Sequence, residues 1–270
     1  MTAHPDWLRP DWRADRVGAL MTTRHGGVSL PPFDSLNLRA AVGDDPHAVA
    51  QNQRRLADAI GARPVYLNQV HGANVVRLTA ADLAPDALTH DADGAVTTEP
   101  GIACTVQVAD CLPVLFAAPD GRAVGAAHAG WRGLAAGVLE ATLAQVCEAA
   151  HCAPGEVQAW LGACIGPAQF EVGPDVLAAF GVSRQAIDTR QAIGAQQAID
   201  SPHFLAKSAG KWLADLPALA RERLQAAGVG AVTGGQRCTV AETSRFFSFR
   251  RDRVTGRMAA LVWIERGSVC

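Results

Sequence analysis

One stretch of the chain, residues 104–133, constrains the fold more than any other. Its sequence is CTVQVADCLPVLFAAPDGRAVGAAHAGWRG, in which apolar runs stand on both sides of a Pro-Asp-Gly turn. Such runs, bounded by turn residues, predict three successive strands, of which the last two form a buried hairpin. The glycine-rich segment 130–133 then opens a helix whose apolar positions recur at helical spacing. This order of elements predicts a mixed α/β core.

Cys111 and His128 are the two reactive side chains of this stretch. Each stands at the end of an apolar run and beside a polar or glycine-rich turn. A strand end next to a helix N-terminus is a rigid position, where a scaffold can hold chemistry in a fixed geometry. The stretch therefore predicts a functional site as well as a fold.

The rest of the chain favours one α/β domain over residues 1–270, because strands and helices mix and no Pro/Gly/Ser-rich linker divides them. Residues 1–16 are interpreted as an N-terminal extension. Residues 182–202, with their repeated Gln-Ala-Ile, are interpreted as a mobile insertion. The other elements predicted most clearly are strands at 17–22, 157–161 and 258–264, and helices at 45–60, 174–180 and 203–228.

Composition narrows the functional classes. The net charge of −2 provides no global field that would attract nucleic acid or an anionic membrane. No apolar run approaches the length of about 20 residues that a membrane helix needs. The chain has seven cysteines without framework-like pairing and no apolar signal segment at its start. We therefore expect a cytoplasmic protein with a small-molecule substrate, binding neither nucleic acid nor membranes.

Three side chains could share one chemistry: His71, Cys111 and His128. Each ends a predicted strand beside a turn, so that one edge of a sheet could bring them together. Two imidazoles and a thiolate form a catalytic zinc set, in which the fourth position stays open for water. Spacing alone does not establish the site, because the chain lacks the paired cysteines of a zinc finger.

Other interpretations of the same residues remain open. With Cys111 as nucleophile, His128 as base and Asp110 or Gln107 as the orienting group, the chain would be a cysteine hydrolase. Alternatively, Cys111 is a small buried side chain and His128 a satisfied core histidine. A non-enzymatic protein could instead hold a closed structural metal site, with a fourth ligand from Cys104, Cys164 or Cys238.

Six motifs in a fixed order closely resemble one known family. They are TTRHGGVS, NQVHG, VADCLPVLF, AAHAGWRGLAAG, GACIGP followed by FEVG, and RCT followed by FFSFRRD. The family is the laccase-domain family, long labelled multicopper polyphenol oxidase and also called the YfiH or peptidoglycan editing factor family. The resemblance extends from about Val17 to Trp263, which is nearly the whole chain.

This resemblance implies a fold, a metal and an activity. The implied fold is a four-layer α/β/β/α sandwich, shared with a group of cysteine hydrolases. The implied metal is one zinc ion, or copper under the older label, held by His71, Cys111 and His128. Members of the family phosphorolyse adenosine, inosine, guanosine and methylthioadenosine, and deaminate adenosine. Bacterial members are also linked to the editing of cell-wall precursors, so an amide hydrolase that uses Cys111 and His128 remains an alternative.

The laccase label itself fits the residues poorly. A multicopper oxidase holds its coppers largely through His-X-His pairs, whereas the eight histidines of this chain stand singly. A mononuclear site loaded with copper could still oxidise a phenol. Polyphenol oxidation is therefore kept as a further alternative.

The remaining site residues are predicted from their chemistry. We expect Asp93 to act as general acid or base or to bind the ribose, with Asp110 second in this role or orienting a ligand histidine. Arg24 with the glycine backbone beside it, or Arg132 at the start of a helix, could bind phosphate. The residues expected to contact the base are Gln69, by hydrogen bonding, and Phe170 and Phe247, by stacking, although core packing is a competing role for both phenylalanines.

Overall fold

The computed structural model describes residues 3–12, 14–182 and 201–267. Its strands are β1 (Val17–Met21), β2 (Arg63–Val65), β3 (Val75–Arg77), β4 (Gly94–Thr97), β5 (Ile102–Val108), β6 (Leu112–Ala117), β7 (Val124–Ala129), β8 (Gln158–Leu161), β9 (Glu171–Val172), β10 (Phe204–Ser208), β11 (Lys211–Ala214), β12 (Ala231–Gly234) and β13 (Met258–Ile264). Its α-helices are α1 (Pro46–Ile60), α2 (Trp131–Ala135), α3 (Val138–Ala150), α4 (Pro174–Ala179), α5 (Leu216–Ala226) and α6 (Phe249–Asp252).

The strands form two large sheets and one small sheet. The first large sheet has the order β12-β8-β6-β7-β4-β3, the second β1-β13-β5-β2, and the small one β10-β11-β9. The hairpin predicted in residues 104–133 is β6–β7, in which Leu112 lies opposite Ala129. In the four-stranded sheet, β13 pairs antiparallel with both β1 and β5.

Helices cover the outer faces of both large sheets. On the six-stranded sheet, Leu139 of α3 and Leu219 of α5 share one core with Phe116 of β6. On the four-stranded sheet, Leu56 of α1 packs in a core with Leu261 of β13. A third core lies between the two sheets. The four-layer α/β/β/α sandwich predicted from the resemblance is confirmed.

Burial on both faces explains why the strands are continuous apolar runs. In β6, Val114 and Phe116 face the helices, whereas Leu115 faces the other sheet. A strand with one solvated face would alternate apolar and polar residues, but a strand covered on both faces does not. Each such large side chain contributes about 1.5–3 kcal/mol when fully buried.

The predicted helix over residues 203–228 is wrong in its first half. The structure has the hairpin β10–β11 there, which turns near Gly210 at a φ of 69°, a conformation that favours glycine. The helix begins only at Leu216, after Asp215, whose side chain accepts the backbone N–H of Ala218 at 2.9 Å. The glycine turn and the N-cap at Asp215 place the start of the helix later than the leucine spacing predicts.

The two segments predicted to lie outside the core have different outcomes. In the N-terminal extension, Leu8 pairs through its backbone with Met21, with N···O distances of 2.8 and 2.9 Å, and Trp7 is buried. The insertion predicted at 182–202 lies, apart from its edges, outside the described residues. Within the described ranges no helix has the length and apolar character needed to cross a bilayer.

Candidate active site

Loops at one end of the sandwich bring the predicted metal ligands together. Residues 109–111 connect β5 in the four-stranded sheet to β6 in the six-stranded sheet, and Cys111 immediately precedes β6. The β2–β3 connection crosses between the same sheets and carries His71, whereas His128 lies in β7. Both crossings contain a left-handed residue, with φ of 94° at Asp110 and 61° at His71.

His71, Cys111 and His128 form one compact group. Their potential ligand atoms all lie within 4.8 Å of one another, and Cys111 Sγ is 3.9 Å from His71 Nε2. The two imidazole rings meet edge to face, with centroids 4.9 Å apart. His71 is exposed and His128 buried. Among the described residues this is the one group of three or more His, Cys, Asp and Glu side chains placed to share an ion.

A buried carboxylate, Asp93, fixes both histidines. Its Oδ1 accepts a hydrogen bond from His128 Nδ1 at 2.8 Å. Its two oxygens also accept the backbone N–H groups of Val70, His71 and Gly72, at 2.7–3.1 Å. Because Nδ1 of His128 faces a carboxylate, it carries the proton and leaves Nε2 available to a metal.

The role expected for Asp93 as a general acid or base does not fit this geometry. The side chain is fully buried, and both oxygens are occupied. Burial raises the pKa of Asp93, but the hydrogen bonds from His128 and from the backbone of Gly72 and His71 outweigh burial and hold the pKa below its usual range. Asp93 is therefore an ionised positioning residue.

The electrostatics of the group favour a thiolate at Cys111. Burial raises the pKa of Cys111, but the charge and hydrogen bond of His128, followed by those of His71, outweigh burial and lower this pKa to about 6. Burial lowers the pKa of His128, but the neighbouring thiolate and Asp93 outweigh it and raise that pKa to about 9. The thiolate is the form of cysteine that binds metals and that acts as a nucleophile.

These side chains fit a zinc ion. Catalytic zinc takes three protein ligands of imidazole, thiolate or carboxylate type and keeps its fourth position open. The group supplies two imidazoles and a thiolate, and Asp93 supplies the carboxylate that typically orients a ligand histidine. Three cysteines were considered as a fourth metal ligand, namely Cys104, Cys164 and Cys238. None of them belongs to the His71–Cys111–His128 group.

Gly130 closes the group on the side of α2. A Cβ at this position would stand 3.0 Å from Cδ2 of His71 and 3.1 Å from Sγ of Cys111. We expect Gly130→Ala to push one ligand away, because overpacking of about 1–3 kcal/mol corresponds to about 10–100-fold in metal affinity. A zinc titration against a chromophoric chelator measures this loss. Gly72→Ala is the matched control, since its Cβ would meet its nearest neighbours at 3.6 and 3.7 Å; equal affinities in both variants would contradict the tight fit.

Two cavities share the group. One, of about 330 Å³, is lined by aromatic side chains that include Trp131 and Phe170, and also by three arginines at its wall, and we call it the aromatic chamber. The other, of about 390 Å³, is lined by polar side chains that include Arg39 and Arg257, and we call it the arginine chamber. His71, Cys111, Ala109 and Phe249 line both. Each volume lies within the range of small-molecule sites.

Three of the predicted substrate-binding residues line these chambers. Phe170 and Arg132 line the aromatic chamber, where the guanidinium of Arg132 stands 4.3 Å from the ring centroid of Trp131. Gln69 lines the arginine chamber. Its amide is paired in both directions with the backbone of Gln107, at 2.8 and 2.9 Å, so Gln69 also fixes the end of β5.

Two predicted substrate-binding residues lie elsewhere. Phe247 is fully buried in the core between the sheets and has no surface to offer a base. Arg24 donates to the carbonyl of Asp34 at 2.8 Å, to its carboxylate at 3.1 Å and to the carbonyl of Thr243 at 3.2 Å. Its guanidinium is thus committed to the loop, lines neither chamber, and does not fit the phosphate-binding role predicted for it.

Asp110 does not orient a ligand histidine, contrary to one prediction. Its carboxylate accepts from the hydroxyls of Thr239, at 2.5 Å, and Ser248, at 3.1 Å, and from the backbone N–H of Arg250, at 2.6 Å. The side chain is buried. Asp110 therefore ties the C-terminal segment to the loop that carries Cys111, and its lone pairs are occupied.

Sequence reasoning gave no site role to the two arginines of the arginine chamber, Arg39 and Arg257. It interpreted Phe249 as a residue of the core or of a pocket wall, and Phe249 lines both chambers with 46% of its surface exposed. The guanidinium of Arg257 lies 5.7 Å from the Phe249 ring centroid, and that of Arg253 lies 5.8 Å from it. The FFSFRRD motif contains Phe249 and was the available signal, but nothing local distinguishes its phenylalanines from one another.

The chain is similar in sequence to one protein family and to several known proteins over nearly its whole length. The family model described as multi-copper polyphenol oxidoreductase laccase matches residues 18–265, which include every site residue described above. A Pseudomonas aeruginosa protein named purine nucleoside phosphorylase is 48% identical over 261 residues, covering 96% of this chain and 98% of the relative. An Escherichia coli protein named purine nucleoside phosphorylase YfiH is 46% identical, covering 96% of this chain and 97% of the relative.

Solved structures are similar over the same length. The crystal structure of a Neisseria meningitidis protein superposes with a TM-score of 0.84 at 44% identity, covering 97% of this chain and 100% of that one. YlmD from Geobacillus stearothermophilus gives a TM-score of 0.84 at 34% identity, covering 98% of both chains. The single-domain, mixed α/β architecture is therefore common to these proteins.

Proposed function

This chain belongs to the multi-copper polyphenol oxidoreductase laccase family, the YfiH family of the sequence resemblance, and on that premise we propose that it is a purine nucleoside phosphorylase that holds one zinc ion. The proposed substrates are phosphate and adenosine, inosine, guanosine or methylthioadenosine. Hydrolytic deamination of adenosine is proposed as a second reaction of the same site. The relatives at 48% and 46% identity are named purine nucleoside phosphorylases, which supports phosphorolysis.

The observation that carries this proposal is the position of the His71–Cys111–His128 group between the two chambers. His71 and Cys111 line both chambers, and His128 lines the arginine chamber. Phosphorolysis brings a flat base, a ribose and a phosphate dianion together. An oxygen of phosphate bonds to C1′ while the C1′–N9 bond breaks, and the purine takes the proton that phosphate loses. A chamber with aromatic walls for the base, and a second chamber with two arginines for phosphate, lie beside a shared centre and suit these two reactants.

The residues of the site have separate roles in this proposal. Trp131 and Phe170 offer flat apolar surface to the base, and Asp93 fixes the histidines. When bound, zinc would act as a Lewis acid and lower the pKa of a water ligand to roughly 7, the chemistry that deamination at C6 requires. The described cysteines are free thiols, which supports the cytoplasmic location that we propose.

One incubation tests the proposal. Zinc-loaded protein is mixed with adenosine, with and without phosphate, and the products are resolved by chromatography and mass. We expect adenine and ribose 1-phosphate only with phosphate, and inosine regardless of phosphate. Cys111→Ala is expected to lose both activities by about 100-fold or more, whereas Cys147→Ala, a half-buried cysteine outside the group, keeps them. If wild type turns over no purine nucleoside, the proposal fails.

A specific observation favours a second candidate, an amide hydrolase acting on a cell-wall precursor. Cys111, His128 and Asp93 stand in the order of nucleophile, base and orienting carboxylate. The orienting group of this triad is Asp93. It is neither Asp110 nor Gln107, the two residues expected in that role. Chelation separates the two candidates, because a nucleophilic thiolate still acts after the metal is removed, whereas a metal ligand has lost its function.

The described residues offer ligands for one ion, whereas the family description names several coppers. Imidazole and thiolate ligands bind both zinc and copper, so the donor set alone does not select between them. We propose zinc, with polyphenol oxidation confined to a copper-loaded, mononuclear form. Elemental analysis of protein purified without added metal, expected near one zinc per chain, checks this; stoichiometric copper would contradict it.

A further inference from the structure

Two arginines face the arginine chamber without a carboxylate partner among the described residues. Arg39 and Arg257 both line this cavity, together with His71, Cys111 and His128. Each is half-buried, and the arginine ion pairs within the described ranges belong to other residues. A partly buried guanidinium that makes no ion pair with a carboxylate can gain one from a bound anion.

Hydrogen bonds within the chain fix the positions of these two arginines. Oδ1 of Asn37, a fully buried residue, accepts the backbone N–H of Arg39 at 3.1 Å and that of Arg257 at 2.9 Å. Arg39 Nη1 donates to Gln107 Oε1 at 3.3 Å. Arg257 Nη1 donates to two backbone carbonyls of its own turn, at 2.9 and 3.0 Å. On both guanidinium groups Nε and Nη2 have no hydrogen-bond acceptor within the part of the chain that the structure describes.

The two cations line one cavity and repel each other. Burial, and then the like charge of Arg39, lower the pKa of Arg257, and the opposing attraction of Cys111 and Asp110 does not outweigh them. Two guanidinium groups held together against their repulsion, with spare N–H groups at a cavity, match an oxyanion that offers several acceptor oxygens. The chamber also contains the metal group, so an anion bound there lies beside the reacting centre.

The geometry points to a binding site for inorganic phosphate formed by Arg39 and Arg257 in the arginine chamber. This assignment rests on the proposed phosphorolysis and names the site of its second substrate. It replaces Arg24 and Arg132, the two arginines predicted from the sequence for this task. The nucleoside then occupies the aromatic chamber, and the two substrates meet beside Phe249, which lines both cavities.

Calorimetric titration of inorganic phosphate into the zinc-loaded protein tests the site without turnover. We expect Arg39→Met and Arg257→Met each to weaken phosphate binding by about 10–100-fold, the effect of losing a charged hydrogen bond. Arg257→Lys keeps the charge and is expected to fall between wild type and Arg257→Met. Arg253→Met is the matched control, because it lies at a similar distance from the Phe249 ring but lines the aromatic chamber.

A chemical readout covers the case in which a variant fails to fold. In wild-type protein, phosphate is expected to protect Arg39 and Arg257 from phenylglyoxal, as read by peptide mass, and to leave Arg253 unprotected. In steady-state kinetics the KM for phosphate should rise in Arg257→Met while the KM for nucleoside changes less than about twofold.

The outcomes separate this site from the proposed function. Phosphate binding that is unchanged in Arg39→Met and Arg257→Met, or lost in Arg253→Met, overturns the site even if wild type phosphorolyses nucleosides. Phosphate binding that depends on Arg39 and Arg257 supports the site even if no nucleoside is cleaved, and in that case it is the phosphorylase proposal that fails.

Discussion

Asp93→Asn is expected to weaken metal binding strongly, although it replaces a single oxygen by an amide nitrogen. The four contacts of the Asp93 carboxylate all come from N–H donors. An amide nitrogen accepts from none of them. Asparagine keeps one acceptor oxygen, so each orientation turns its NH2 group toward N–H donors. If the oxygen stays on His128 and His71, the NH2 group faces the backbone N–H groups of Val70 and Gly72. If the NH2 group faces His128 instead, it favours the tautomer protonated at Nε2, the atom left for the metal.

We expect zinc affinity to fall by at least about 10–100-fold, which is the effect of removing a carboxylate that supports a metal ligand. Phosphorolysis should fall in parallel, and chelator competition together with activity at saturating zinc measures both. Asp91→Asn is the matched control, because Asp91 is exposed in the same segment and accepts from Asn68 Nδ2. Wild-type zinc affinity in folded Asp93→Asn, with folding verified by thermal unfolding, would falsify the positioning role.

The contrast between Asp93 and Asp110 marks the limit of what the sequence indicates about this site. Donor chemistry and the motifs are local, so His71, Cys111 and His128 could be predicted as one group. The task of a carboxylate depends instead on which donors the fold brings to it. Asp93 meets a histidine and loop amides, whereas Asp110 meets two hydroxyls and a distant backbone N–H. No pattern within the chain specifies those partners.

The fold could be predicted where apolar runs are long and bounded by turns. The strand expected at 258–264 is β13, and the helix expected at 45–60 is α1 with Asp45 as its N-cap. The helix predicted over residues 203–228 is wrong in its first half, because a β-hairpin and the helix after it present leucines at similar spacing. Only the turn at Gly210 and the cap at Asp215 separate these two elements.

The phosphate site could not be predicted, because it is assembled from two ends of the chain. Asn37 and Arg257, which meet through a hydrogen bond, are 220 positions apart. Arg39 follows a glycine-punctuated loop in which only Arg24 was predicted as an anion ligand. Asp34 and the carbonyl of Thr243 satisfy Arg24, whereas Nε and Nη2 of Arg39 have no acceptor among the described residues. Whether nearby oxygen atoms accept the N–H groups of an arginine depends on the folded structure, so the sequence does not show it.

Asp110→Ala is expected to lower the free energy of unfolding by about 3–5 kcal/mol, while Asp110→Asn costs about 1 kcal/mol. Alanine leaves the Arg250 N–H and two buried hydroxyls without their acceptor, and strains a residue whose φ is 94°. Asparagine tolerates the left-handed region. Its oxygen keeps Ser248 and Arg250, and its nitrogen donates to Thr239, whose hydroxyl turns to accept.

Urea unfolding followed by tryptophan fluorescence measures the difference, with equal slopes against urea required for the comparison. Because Asp110 anchors the loop that carries Cys111, zinc affinity should also fall in Asp110→Ala and stay near wild type in Asp110→Asn. Equal destabilisation of the two variants would mean that the negative charge, and not the pattern of acceptors, holds the C-terminal segment against this loop. The asparagine variant thus separates charge from hydrogen-bond geometry at the residue next to the metal ligand.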